Sequence, residues 1–400
     1  MVTETLQSLF RFASISLASS TAVYFGILSL LTIPLLQTHV FYLHRVTLTW
    51  RKDLNVPESF GFLHNQVTPF SIGTPDGETL HAWHVLPSEL YRRNERQLIE
   101  QPSGFAPDIT SRLAFQLLRD DPDARLVLYL HGTAGTLGSG WRPDSYRALY
   151  SGAPDKIHIL AADYRGYGRS SGTPSENGLL IDAVALTDWA MKVAGVPSSQ
   201  IVIFGQSLGT AVGIHLSNHF ASQSPPVSFA GLVLEATFSD VATLTGTYRL
   251  GGVIPVLSPL NRLPHLLAFF NRFLVNTWLS KDRIAEFVQR SEKSGQRYHL
   301  TLIHAEDDAD IPWLHTEVVY WHAVNATVVN GISYDQLEQE KKMRKTDLGP
   351  GGWVMEWRTV KGVIREEILK YGLHDQLMSY PVTAMAALRT FQATDPAFGI

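Results

Sequence analysis

The 400-residue sequence contains no cysteine, and this absence removes several chemistries together: disulfide scaffolds, a thiol nucleophile, thiolate zinc centres and cysteine-held iron–sulfur clusters. Charge is also scarce. Asp, Glu, Lys and Arg make up 18% of the chain, with 33 basic residues against 37 acidic ones and a net charge of −4. That balance offers no basic coat for nucleic acid. With 45% hydrophobic residues it also excludes a natively unfolded chain. Internal repeats and low-complexity tracts are missing as well.

Between Arg11 and Arg45 charge vanishes altogether. The stretch includes TAVYFGILSLLTIPLLQTHVFYL, Thr21 to Leu43, and a helix of about 20 apolar residues suffices to cross a bilayer core. Residues 18–44 are therefore expected as a transmembrane anchor behind a tail of residues 1–17. Pro34 would kink the anchor, and Tyr24, Phe41 and Tyr42 stand where interfacial aromatics belong. A cleaved signal peptide is the rival reading, but it needs small residues at a cleavage site, and none follow Leu36. A buried core helix is the third. Arg45, Arg51 and Lys52 after the segment favour a cytoplasmic catalytic domain. The sequon Asn325-Ala326-Thr327 is usable only in a lumen, so the two signals point to opposite sides.

From residue 64 onward the pattern changes. Val67–Gly73 and Thr79–Leu86 read as strands joined by the turn Thr74-Pro75-Asp76-Gly77. A charged, helix-prone stretch from Pro87 to Asp123 reads as a surface insertion. The apolar runs at 126–130, 157–162, 201–205, 231–236 and 299–305 then read as strands buried on both faces. Helical patterns separate them, the clearest beginning at Ser175 as N-cap, with Leu179, Ala183 and Leu186 on its apolar face and Gly195 at its end. Strand–helix alternation predicts an α/β fold with a mostly parallel central sheet and helices on both faces. The division that follows is 64–236 for the first part of the core, 237–297 for a proline-broken apolar lid insertion, and 298–400 for the second part. A surface insertion at 328–353 interrupts the last, carrying a charged helix over Ser333–Lys345.

The strand IVIFG runs into Gly205-Gln206-Ser207-Leu208-Gly209 and then into a helical pattern. A serine on such a strand–turn–helix corner has its hydroxyl lifted above the strand ends at a helix N-terminus, where backbone N–H groups stabilise developing negative charge. Glycines flank it because a Cβ there would crowd the neighbouring strand or helix. Ser207 is the candidate nucleophile. A second set of N–H groups should come from the loop His131-Gly132-Thr133-Ala134-Gly135, so the backbone amides of Thr133 and Leu208 are the candidate oxyanion donors. The glycine-rich run Asp163–Ser170 lacks the ending of a phosphate loop and reads as a structural buttress of the site.

These motifs resemble the α/β-hydrolase family and, within it, the membrane-anchored branch of lysophosphatidylserine and monoacylglycerol lipases. The resemblance is carried by His131-Gly132…Ala134-Gly135, Asp163-Tyr164-Arg165-Gly166…Gly168, Gly172-Thr173-Pro174-Ser175-Glu176, Ser207-Leu208-Gly209-Thr210 and His304-Ala305-Glu306-Asp307-Asp308. It covers about Val67 to Phe391 plus the anchor, and it departs from the branch at Thr133, where relatives have Asn, and at Gln206, where they have His. Its implications are an α/β-hydrolase fold, a Ser-Asp-His order along the chain, no cofactor and no metal, and a single-pass membrane protein of the endoplasmic reticulum.

Four acids follow the strand ending at Ala305: Glu306, Asp307, Asp308 and Asp310. The family spacing from His304 to Ile311-Pro312 selects Asp308, with Asp307 next. Of the three later histidines, His315 and His322 fall seven apart on one helix face, whereas His374 lies in a loop before the final helix and is the candidate base. The expected function is hydrolysis of long-chain acyl lipid esters, monoacylglycerol or lysophospholipid, with the bilayer as partner and no nucleic acid. An acyl-protein thioesterase and a catalytically silent membrane scaffold are the alternatives. Weaker signals read as structural. His215 and His219 have zinc spacing, but Leu216 stands where a metalloprotease has its Glu. His81 and His84 point to opposite faces of a strand. Lys341–Lys345 reads as a solvated helix face, with anionic lipid headgroups as its other reading.

Overall fold

Leu126, Leu128 and Leu130 turn to one face of the central sheet while Val127 and Tyr129 turn to the other, and all five are buried. That is why such strands read as unbroken apolar runs. The structure, a computed structural model, describes residues 2–255 and 257–399. Met1, Val256 and Ile400, which fall in the tail, the lid and the last core part of the sequence division, lie outside the described residues.

The strands are β1 (Val67–Gly73), β2 (Thr79–Val85), β3 (Arg125–Leu130), β4 (Ile157–Ala162), β5 (Ile201–Gln206), β6 (Gly231–Glu235), β7 (Arg249–Leu250), β8 (Ile254–Pro255), β9 (Tyr298–Ala305), β10 (Thr346–Asp347), β11 (Gly352–Arg358) and β12 (Gly362–Leu369). Ten of them form one sheet in the order β1-β2-β4-β3-β5-β6-β9-β12-β11-β10, while β7 and β8 form a separate ribbon. The pairings from β4 to β12 are parallel, and both edges are antiparallel. Helices Glu176–Asp188 and Leu208–Ala221 cover one face, and Arg142–Ser151 and Pro381–Thr394 cover the other. β11 starts at 352, inside the expected surface insertion 328–353, runs on to 358, and lies between β12 and the short edge strand β10. Its signal was alternation, with Trp353, Met355 and Trp357 apolar and Glu356 and Arg358 polar between and after them.

Two boundaries differ from expectation. The apolar helix is continuous over Val2–Leu30, and its stretch Thr5–Leu30, 26 residues, is apolar enough to cross a membrane and almost wholly exposed. At 1.5 Å per residue it would reach about 39 Å, against a hydrocarbon core of about 30 Å. The expected span 18–44 is interrupted because Pro34 has no N–H to donate to Leu30, so one helix ends and a second, Pro34–Tyr42, begins with proline in its first turn. Likewise 237–297 is not all lid. Its last helix, Ser280–Ser294, buries Ile284, Phe287 and Val288 in the core against the sheet-covering helices.

Lys341 also departs from expectation. Leu337 and Lys341 sit four apart on one helix face, and both are buried. The ammonium lies 2.8 Å from Glu366, 3.1 Å from Glu317 and 3.5 Å from Glu338. Lys342, Met343, Arg344 and Lys345 remain exposed, as a solvated face requires. Burial pushes the Glu366 carboxyl up to about 7 against the pull of Lys341. Replacing Lys341 by Met strands these carboxylates, so a urea titration should register a loss of about 3–5 kcal/mol. The exposed neighbour Lys342→Met should stay within about 0.5 kcal/mol.

Candidate active site

The end of β5 sets the geometry. Ser207 has φ +54° and ψ −118°, a left-handed corner between Gln206 and the helix that starts at Leu208. A Cβ on Gly209 would lie 1.9 Å from the Leu130 carbonyl oxygen, and one on Gly205 would lie 2.4 Å from the Gly209 oxygen. Only glycine fits at either position, so the corner follows from the sequence around it.

Ser207 Oγ lies 3.0 Å from His374 Nε2, and His374 Nδ1 lies 2.7 Å from Asp308 Oδ2. With the ring proton on Nδ1, His374 donates to Asp308 and accepts from the serine hydroxyl. The structure thus brings together three side chains that stand 101 and 66 residues apart in sequence. The same Asp308 oxygen lies 3.0 Å from His304 Nε2, whose Nδ1 is 2.7 Å from Thr316 Oγ1. Oδ1 of Asp308 accepts the amides of Asp310 and Ile311, both at 2.9 Å.

The other candidates have separate tasks. Asp307 accepts the amides of Gly372 and Leu373, holding the loop that presents His374. Glu306 pairs with Lys370, and Asp310 accepts the Gly252 amide. His315 bonds Ser239 and Thr247, while His322 stays half-buried on its helix. Sequence reasoning missed Gln206 as a support. Its amide donates to the His374 carbonyl at 3.2 Å and to Asp375 Oδ1 at 3.1 Å, tying the nucleophile turn to the histidine loop. It also missed Arg142, a buried guanidinium donating to the carbonyls of Gly132, Ala134 and Thr136 and so fixing the loop of Thr133. The Asp163 loop acts as a buttress: its carboxylate accepts the Leu137 amide at 2.8 Å.

Thr133 and Leu208 line the same cavity as Ser207 and His374, about 440 Å³ in volume and mostly apolar. The geometry offers an activated hydroxyl facing a hydrocarbon-lined space. Asp308, Asp310 and His374 bring three ligand-type atoms within 4.8 Å of one another and are the described residues most suited to a cation. Both oxygens of Asp308 and the His374 Nδ1 are, however, already engaged in hydrogen bonds.

Residues 127–358 match the model of the alpha/beta hydrolase family. The chain belongs to the α/β-hydrolase family. It is 26% identical over 298 residues to the lysophosphatidylserine lipase ABHD12 of Danio rerio, covering 74% of this chain and 69% of that protein. With the lysophosphatidylserine lipase ABHD12 of Xenopus tropicalis it shares 28% identity over 285 residues, 70% of this chain and 64% of that one. The matched part thus spans roughly two thirds of these relatives. A solved α/β hydrolase from Vibrio vulnificus shares the fold at a TM-score of 0.54 and 14% identity, over 90% of this chain and 94% of that one.

In this α/β hydrolase the histidine sits in a strongly negative setting. Burial alone would depress the His374 imidazole, but the charges of Asp308, Asp375 and Asp310 outweigh it and push it up to about 9. For Asp308 burial raises the carboxyl, and the His374 charge with the His304 and His374 hydrogen bonds overcomes that, holding it well below the usual carboxylate range. For His374 to act as a general base it must be neutral, and it loses its proton only as pH rises through its raised value. The rate kcat/KM should therefore climb with pH through an ascending limb lying above the ordinary histidine value of about 6.5. In Asp310→Asn, which removes one of the raising charges, that limb should move to lower pH. An unmoved limb would refute this electrostatic account.

Proposed function

We propose that this chain is a membrane-anchored serine hydrolase that cleaves carboxylic esters of long-chain acyl lipids, monoacylglycerol or lysophospholipid. The observation that carries the reading is the hydrogen-bonded chain Ser207–His374–Asp308 opening into an apolar cavity. The lysophosphatidylserine lipases among its relatives support the lipid class. The exposed apolar helix Thr5–Leu30 supports the anchor, and the endoplasmic reticulum as its membrane rests on the resemblance to the lipase branch alone.

The mechanism follows from the geometry. His374 Nε2 takes the Ser207 proton as Oγ attacks the ester carbonyl, and the oxygen that gains charge is held by the Thr133 and Leu208 amides. Asp308 fixes the tautomer and stabilises the imidazolium without taking its proton. The imidazolium then protonates the departing alcohol oxygen as the C–O bond breaks and an acyl-Ser207 ester remains. A water attacks that ester, giving its proton to His374, and the carboxylic acid leaves as the proton returns to Ser207.

A fluorophosphonate probe should label the wild type and fail on Ser207→Ala. In a panel of lipid and acyl-protein substrates, Ser207→Ala should lower kcat by about 10⁶-fold and Asp308→Asn by about 10⁴-fold. Folded wild-type protein that takes no label would sink the proposal, and preferential turnover of acyl-proteins would replace lipid esters with thioesters.

A further inference from the structure

We propose that the chain from Leu28 to Leu48, which joins the apolar N-terminal helix to the catalytic domain, is a wall of the acyl-chain site and sets the acyl length the enzyme accepts. This rests on the ester-hydrolase reading above and adds a specificity-determining element to it. The cavity holding Ser207 and His374 is bounded on one side by Leu244 and Phe270 of the lid and on another by Leu28, Leu31, Val40 and Phe41. Among the described residues, no ionisable side chain between 28 and 48 lines it. A surface of this composition takes hydrocarbon, and about 440 Å³ falls within the range of about 300–1,000 Å³ for small-molecule pockets.

The wall is fixed, not draped. Leu28 and Tyr42 are buried at 1% and 0% exposure, although the helix preceding them is exposed. Gln37 clasps the lid from both ends of its amide, donating to the Phe273 carbonyl at 2.6 Å and accepting the Val275 amide at 3.1 Å. Behind the site, the Tyr42 carbonyl accepts the Ala134 amide at 3.1 Å and the Tyr167 hydroxyl at 2.7 Å, and the Val46 carbonyl accepts the Gly135 amide at 2.6 Å. One segment therefore touches the lid, the cavity and the loop that carries Thr133. A mere tether would need none of these contacts. Where the wall stands decides how many methylenes fit, and in an apolar pocket one methylene too many lowers kcat/KM by about 10–200-fold.

The test uses the full chain in detergent micelles with nitrophenyl butyrate and nitrophenyl palmitate in the same micelles, so that delivery by a membrane plays no part. Active sites are counted by fluorophosphonate labelling. In Leu31→Trp and Val40→Trp the palmitoyl-to-butyryl ratio of kcat/KM should fall about tenfold or more. Ile15→Trp, on the exposed half of the N-terminal helix, should leave the ratio unchanged. An unaltered ratio in both wall variants, with their sites still labelled, would overturn the proposal. Should both lose labelling, Val40→Ala decides: a ratio raised twofold or more supports the wall, and an unchanged one overturns it. Wild type that hydrolyses neither ester would instead overturn the hydrolase reading beneath it.

Discussion

At Ser207 the helix that follows β5 starts so close to the end of β3 that the Leu130 carbonyl occupies the space where a side chain on Gly209 would begin. A serine held at positive φ is strained by about 1–3 kcal/mol, and such a corner persists only where its surroundings over-determine it. Here they do. Leu208, Ala211, Val212 and Ile214 are buried against one face of the sheet, and the β5 residues Val202 and Phe204 are buried on the other. Burial of each of the larger side chains, Leu208, Val212, Ile214, Val202 and Phe204, contributes about 1.5–3 kcal/mol, so the packing on both sides of the turn offsets its strain. The core and the site are thus one construction: the apolar packing holds the corner, and the corner raises the hydroxyl.

Asp308 plays the equivalent part for charge. A carboxylate with little solvent contact is costly unless its lone pairs are filled, and this one accepts from two imidazoles and two backbone amides. The extra imidazole, His304, is itself aligned by Thr316, so Asp308 has little freedom to rotate away from His374. Negative charge then reaches beyond the triad, since Asp310 and Asp375 also stabilise the protonated ring. In the proposed mechanism this arrangement favours the imidazolium formed when His374 takes the Ser207 proton. It does so at the expense of neutral base in the resting enzyme near neutrality.

Much of this was readable in the sequence because it rests on local rules. Buried parallel strands declare themselves as short apolar runs, and the turn at Ser207 declares itself by its two glycines. The choice between Asp307 and Asp308 needed more than composition. Both are acidic and adjacent, but one faces the imidazole and the other the Gly372 and Leu373 amides, a difference made by the path of the loop. Arg142 and Gln206 escaped notice because their partners are backbone carbonyls and a carboxylate at least 6 and up to 169 residues away, and no periodicity marks such contacts. Lys341 is hidden in the sequence for the opposite reason. A run of basic residues looks solvated as a block, yet the helix repeat places one member beneath Leu337 and turns the rest outward.

The family match over 127–358 includes Ser207 and Asp308 but stops short of His374 and leaves out the first 126 residues. What lies inside that range is most of the sheet, the turn that carries Ser207 and the loop that carries Asp308. What surrounds the reacting atoms in this chain is drawn partly from outside it. Leu28 to Leu48 on one side and the lid on the other meet through Gln37, and both border the cavity that Thr133 and Ser207 share. Pro34 separates the helix Val2–Leu30 from the helix Pro34–Tyr42, and Val40 and Phe41 of the second border the cavity together with Leu28 at the end of the first. A single proline therefore divides the exposed apolar helix from the segment that Gln37 ties to the lid.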